Sequence, residues 1–190
     1  MKPVIVRLLP CLAALALAAC ASAPLAETRY RLPEPAPLSA AQPAMPALAV
    51  TVEQAAWLNG LAMHYQLDAQ RPQLARYRDS LWADRPAALL AARLRQRLST
   101  IPVAAGAPWS LRLYLDRFEQ VYQPDLHSQG EARWQAELRD SHGALRARHT
   151  FSASAPASQA HAEAGARALG AASDALIEDT LRWAREGMGR

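Results

Sequence analysis

The sequence predicts an α+β domain: an antiparallel sheet with two main helices packed on one face. Three observations carry this. Apolar–polar alternation recurs at 48–52, 61–67, 109–115, 132–138 and 145–151, the period of half-buried strands. Two longer stretches, opening near Asp84 and Ser158, carry apolar residues at helical spacing. The last three strand-like runs follow one another closely, as in a meander with one wet face. Strands and helices that segregate along the chain make an α+β fold.

In chain order, Leu48, Val50 and Val52 give the first strand of the domain proper. Glu53 to Leu58 is a turn or short helix, and Asn59-Gly60 is a turn signal. Leu61, Met63, Tyr65 and Leu67 alternate with Ala62, His64 and Gln66, and Arg71-Pro72 ends that strand. Leu74 to Tyr77 reads as a short edge strand. Asp84-Arg85-Pro86 opens a helix, with Asp84 suited to the N-cap and Pro tolerated in the first turn. Its buried stripe is Leu90, Leu94 and Leu98, and Arg93, Arg95 and Arg97 read as its solvated side. Residues 101–108 form a loop. Trp109, Leu111, Leu113 and Leu115 alternate, but Phe118 has the opposite parity, which predicts a β-bulge near Asp116 or Arg117. Ala132, Trp134, Ala136 and Leu138 mark the next strand. Asp140-Ser141-His142-Gly143 is a hairpin turn, and Leu145, Ala147, His149 and Phe151 return along the inner face. From Ser158 to about Ala184 the chain is helical, with Leu169, Ala172, Leu176, Thr180 and Trp183 on one stripe.

The N-terminus is of another kind. Lys2 and Arg7 precede an apolar run, Leu8 to Ala19, too short to span a bilayer, which takes about 20 residues. Small residues follow, as at a secretory cleavage site. The end, Leu17-Ala18-Ala19-Cys20, resembles the bacterial lipobox. Residues 1–19 are thus expected to be a cleaved signal, and Cys20 the lipidated first residue of the mature chain. Ala21 follows where an Asp is the usual inner-membrane retention signal, so the outer membrane, facing the periplasm, is the expected site. One acyl chain binds membranes only marginally, but several together anchor permanently. Residues 20–46, rich in Pro and Ala, read as an extended tether, with Arg29-Tyr30-Arg31-Leu32 able to add a short strand. Fully extended it would reach on the order of 80 Å. The domain is expected over 47–190.

Composition excludes several classes. Removing residues 1–19 takes Lys2 and Arg7 from 21 basic and 17 acidic residues, and leaves 171 residues at net +2. That is too little for nucleic-acid binding. Cys11 leaves with the signal and Cys20 carries lipid, so thiol catalysis and Cys-based metal sites are excluded. Asp140-Ser141-His142 has the letters of a triad, but neighbours in one turn cannot converge as a triad must. His64, His127, His142, His149 and His161 show no metal-ligand spacing, and His149 reads as a hydrogen-bonded core residue. Adjacent Glu178 and Asp179 point apart and read as solvated. Arg112, Arg133, Arg139, Arg146 and Arg148 lie on the wet face, where headgroups or an acidic partner could bind, but Asp116, Glu119, Glu131 and Glu137 are interleaved with them. Trp109 and Trp134 read as core. Tyr77 and Trp82 either staple the first helix to the sheet or form a partner-binding rim, since Tyr and Trp are enriched at interfaces. No catalytic residue, metal or cofactor is expected.

Tyr77-Arg-Asp-Ser-Leu-Trp82-Ala-Asp-Arg-Pro86, running into Leu90, Leu94 and Leu98, resembles the Y-x4-W-x3-P stretch of the ABC-type transport auxiliary lipoproteins. That group includes the lipoprotein subunit of the paraquat-inducible Pqi system. The lipobox, Tyr30-Arg31-Leu32, Leu48–Val52, Leu113–Glu119, the 134–151 hairpin and the Ala-rich last helix follow in the same order. The resemblance implies a non-catalytic subunit acting with an MCE-domain protein, a permease and an ATPase that move lipids or other hydrophobic molecules between membranes. ATP hydrolysis would belong to another chain, since no Walker motif occurs here. An alternative is a structural lipoprotein or chaperone partner of an outer-membrane β-barrel assembly. A lipid-anchored hydrolase is the third and weakest reading.

Overall fold

The computed structural model describes residues 26–35, 37, 42–71, 73–125 and 127–189. The expected signal and Cys20 lie outside the described residues. Seven strands form one sheet: β1 (Thr28–Tyr30), β2 (Leu48–Gln54), β3 (Ala62–Gln66), β4 (Leu74–Trp82), β5 (Trp109–Tyr122), β6 (Ser128–Arg139) and β7 (Leu145–Ala157). Two helices, α1 (Pro86–Leu98) and α2 (Ala162–Met188), join it in one α+β unit.

The strand order is β1-β4-β3-β5-β6-β7, with β2 also on β5. One edge of the long β5 takes β6. Along the other, β2 pairs from Trp109 to Leu115 and β3 pairs at Gln120 and Val121. The sheet is therefore mixed, not purely antiparallel as the sequence suggested. β1 runs parallel to β4, and β2 and β3 run parallel to β5. Alternation reports which face a side chain takes, not the direction of the neighbouring strand. The chain between β2 and β5 passes through α1, which makes the parallel return possible.

The bulge lies where parity placed it. Leu115 opposes Trp134 and Arg117 opposes Arg133, leaving Asp116 as the extra residue. Phe118 thereby turns inward and is fully buried. β4 is longer than expected and is itself irregular. Ala62 opposes Leu81 while His64 opposes Arg76, so β4 spends extra residues between them.

α1 starts at Pro86 with Arg85, not Asp84, at the N-cap. The capping acceptor comes from the sheet, where Gln54 Oε1 accepts the Ala87 N–H at 2.7 Å. α2 begins at Ala162, later than expected, with the His161 ring accepting the Ala164 N–H. It presses close to β6. A Cβ on Gly130 would lie 2.5 Å from the backbone nitrogen of Leu169, so only glycine allows that approach. Trp134 lies between them, and its indole N–H donates to Thr180 Oγ1 at 2.9 Å. Leu90, Leu94, Leu111, Leu113, Phe118 and Trp134 join residues of α2 in one continuous core.

Part of the segment read as tether belongs to the fold. β1 joins the sheet beside β4, and Met45 is buried and bridges to Val103.

Candidate docking surface and strap

Tyr77 and Trp82 do not flank a loop; both lie on β4. Trp82 is 1% exposed, with its ring 5.3 Å from that of Phe118, and so offers no surface to a partner. Its burial follows from the irregularity in β4, which shifts parity between Tyr77 and Trp82.

Tyr77 is half-buried and heads a polar network. Its hydroxyl donates to Gln120 Oε1 at 2.9 Å, and Gln120 Nε2 donates to Ser128 Oγ at 2.8 Å. A tyrosine has one hydroxyl proton, so Tyr122 must be the donor in the 2.6 Å contact between the two phenols. The Tyr65 ring lies 4.7 Å from Tyr77 and 6.0 Å from Tyr122. Burial, reinforced by the Tyr122 hydroxyl, pushes the Tyr77 ionisation up, which keeps it a neutral hydrogen-bonding group. Gly165 completes the cluster, since a Cβ there would meet Gln120 Oε1 at 2.1 Å.

A second constellation was not anticipated. Arg93 and Arg97, read as solvated, are 6% and 9% exposed. Arg93 Nε and Nη2 donate to the two oxygens of Asp174 at 2.7 and 2.8 Å. Its Nη1 donates to the Pro33 carbonyl. Arg97 Nε lies 2.7 Å from Glu178. Glu178 thus clasps α1, while its neighbour Asp179 pairs on the surface with Arg182. The signal was in the spacing, because Arg93 and Arg97 follow Leu90 by three and seven and share its helix face. Pro33 sits over Gly170, where a Cβ would come within 2.7 Å of the proline ring. The 31–35 segment is thereby strapped across both helices, beside a groove of about 380 Å³ lined by Arg31, Pro33, Leu89, Ala92 and Gln96.

The arginines of the outer face are all engaged. Arg112 pairs with Glu53, Arg133 with Asp116, Arg139 and Arg148 with Glu137, and Arg146 with Asp140. The two guanidiniums hold the Glu137 carboxyl below its usual range. This surface is a balanced lattice of charge, not a basic patch. Glu119 differs: it is 5% exposed and sits directly opposite Glu131. Burial, with Glu131 adding repulsion, pushes its carboxyl above the usual range, although Arg117 and Arg133 pull the other way.

Asp140, Ser141 and His142 form the hairpin turn, where Asp140 Oδ1 accepts the His142 and Ala144 N–H groups. His149 is exposed rather than core, stacked edge-on to Phe151 at 4.5 Å, because β7 is an edge strand. Among the described residues no three His, Cys, Asp or Glu side chains gather to hold a metal. No described helix is long and apolar enough to cross a membrane.

The profile of a family described as the ABC-type transport auxiliary lipoprotein component matches residues 30–180. No curated protein matches the chain. Among solved structures it is similar to protein XCC0632 from Xanthomonas campestris, at 19% identity and a TM-score of 0.65, over 85% of this chain and 94% of that one. It is also similar to an uncharacterized protein at 19% identity and a TM-score of 0.58, over 85% and 98%. At such identity these two likenesses establish the fold alone.

Proposed function

This chain belongs to the ABC-type transport auxiliary lipoprotein family, and from that premise we propose that it is a non-catalytic, outer-membrane subunit of an MCE-type ABC transport system. In this reading residues 1–19 are removed, Cys20 carries the lipid, and the domain faces the periplasm. It docks an MCE-domain protein that works with a permease and an ATPase, and the cargo is a lipid or another hydrophobic molecule.

The observation that carries the reading is the extent of the family match. It runs from β1 to the last turns of α2, so the whole folded unit corresponds to the auxiliary subunit. The layout of side chains is consistent with a binding role. Among the polar groups buried in the domain, Arg93, Gln120, Ser128 and Thr180 have partners that fix packing. Asp140 is occupied in holding the turn that carries Ser141 and His142. Of the pair read as either a staple or a rim, Tyr77 reaches the surface only in part, with Tyr65 beside it.

The test is a detergent pull-down of the full-length lipidated protein from envelope membranes, with bound proteins identified by mass spectrometry and a Cys20→Ala form as anchor control. An MCE-domain protein recovered with its ABC subunits is the expected result. Recovery of an outer-membrane β-barrel with no MCE protein would overturn the reading and leave a role in barrel assembly.

A further inference from the structure

We infer that the β3–β4 hairpin tip, at Leu67–Arg71 and Leu74, lies against the membrane that holds the lipid anchor and seats Leu67 and Leu74 in its headgroup layer. The inference rests on the lipidation of Cys20 proposed above.

The argument begins with where the chain leaves the sheet. Arg29 is level with Leu81, and Leu81 is level with Ala62 on β3. Ala26 comes three residues before Arg29, and Gln66 comes four residues after Ala62, in the same direction along the sheet. Carried on along the line of β1 at about 3.3 Å per residue, Ala26 would come within about one residue of the level of Gln66 and its partner Leu74. The anchor-bearing end of the chain therefore emerges beside the hairpin tip.

Reach then selects the end that faces the bilayer. Six residue-to-residue steps lead from Cys20 to Ala26, a span of at most about 21 Å. The opposite end of the sheet, with the 140–143 turn and the loop after α1, is twelve residues back along β5 from Val121 to Trp109. That is about 40 Å. The tether is too short for the domain to stand on that end. Exposed apolar residues alone would not decide, because Val103 and Leu145 stand at the far end, 74% and 45% exposed. Leu67 and Leu74, 65% and 41% exposed, stand at the end the anchor can reach.

The tip suits a lipid surface through its apolar side chains: Leu67 and Leu74 flank the hairpin loop, while Arg71 pairs with Asp68 and Arg78 with Asp79. Apolar side chains that enter the headgroup–acyl boundary by a few ångströms add to an existing anchor. The tip is also braced. Gln66 Nε2 donates to the carbonyls of Asp68 and Arg71, and the Ala69 N–H reaches the Tyr122 carbonyl on β5. The consequence is orientation: the domain stands on this end, and its far end, with Val103 and Leu145, is turned into the periplasm.

The test uses the lipidated full-length chain in vesicles of phosphatidylethanolamine and phosphatidylglycerol, three parts to one. Leu67→Cys, Leu74→Cys and Ser141→Cys forms each carry one environment-sensitive fluorophore, and lipids brominated near the headgroup serve as quenchers. Flotation of the same samples reports anchoring separately. The expected result is that probes at 67 and 74 lose about half their fluorescence and the probe at 141 almost none. Protein that floats while 67 and 74 are quenched no more than 141 overturns the orientation and leaves the anchor standing. Protein that does not float overturns the anchor premise, and the orientation falls with it.

Discussion

On β6, Ala132, Trp134, Ala136 and Leu138 face the helices and are each 1% exposed or less, whereas Glu131, Arg133, Glu137 and Arg139 face outward from the same strand. One strand thus carries two surfaces built on different physics. The inward surface is held by shape, with Trp134 bonded to Thr180 and Gly130 admitting the α2 backbone. The outward surface is held by many half-exposed ion pairs. Such pairs contribute little individually, since solvent screens them and ordering long side chains costs entropy. The stability of the domain therefore lies between sheet and helices, and the outer lattice mainly sets what the sheet can and cannot attract.

Substitutions on the two surfaces test that contrast, and the largest effect belongs to the inner one. Trp134→Ala leaves a cavity and frees the Thr180 hydroxyl, so it is expected to cost about 3–5 kcal/mol, read from the urea midpoint. Arg93→Met removes one member of a buried pair, taking both guanidinium bonds from Asp174 and a donor from the Pro33 carbonyl. A loss of about 3 kcal/mol is expected. Faster trypsin cleavage after Arg31 would show that the strap has come loose. If Arg93→Met unfolds no more easily than the parent, the clasp between the helices is decorative.

Glu119 is the outer face's exception, and its sign is opposite. Its carboxyl holds its proton more tightly when folded than when unfolded. Its contribution to stability is thus fullest at acid pH and is lost as pH rises from the ordinary carboxylate range through the raised folded value. Glu119→Gln also relieves a like-charge pair across β5 and β6. It is expected to stabilise the domain at pH 7 by a few tenths to about 1 kcal/mol. The gain should shrink toward pH 4, which thermal melts across that range would reveal. The smallest effect is expected from Arg148→Ala, within about 0.5 kcal/mol, because Arg139 still pairs with Glu137.

Much of this arrangement was legible in the residues. Strict alternation located β2, β6 and β7, and the parity slip at Phe118 located the bulge. The four-residue spacing of Leu90 and Leu94 located the inner side of α1. What stayed hidden involved a partner distant in sequence. Trp82 looked like a loop residue because the irregularity in β4 erases alternation just where the strand continues. Arg93 and Arg97 looked solvated because charge suggests water, until α2 supplies Asp174 and Glu178. Tyr77 gave no hint of Gln120, 43 residues away. Direction of pairing was hidden for a similar reason, since parallel and antiparallel neighbours demand the same pattern of side chains.

The strap at Pro33 also decides how the domain answers a pull. A load applied along the strand axis through residues before Thr28 is borne lengthwise by the parallel pairing of β1 with β4. Bonds loaded along the strand axis share the force and resist together; bonds peeled from one end would fail in turn. Behind β1, the guanidinium of Arg93 and the seat on Gly170 hold the next segment to both helices. Pulled along that axis, the domain is thus gripped in shear, with a second catch behind the first.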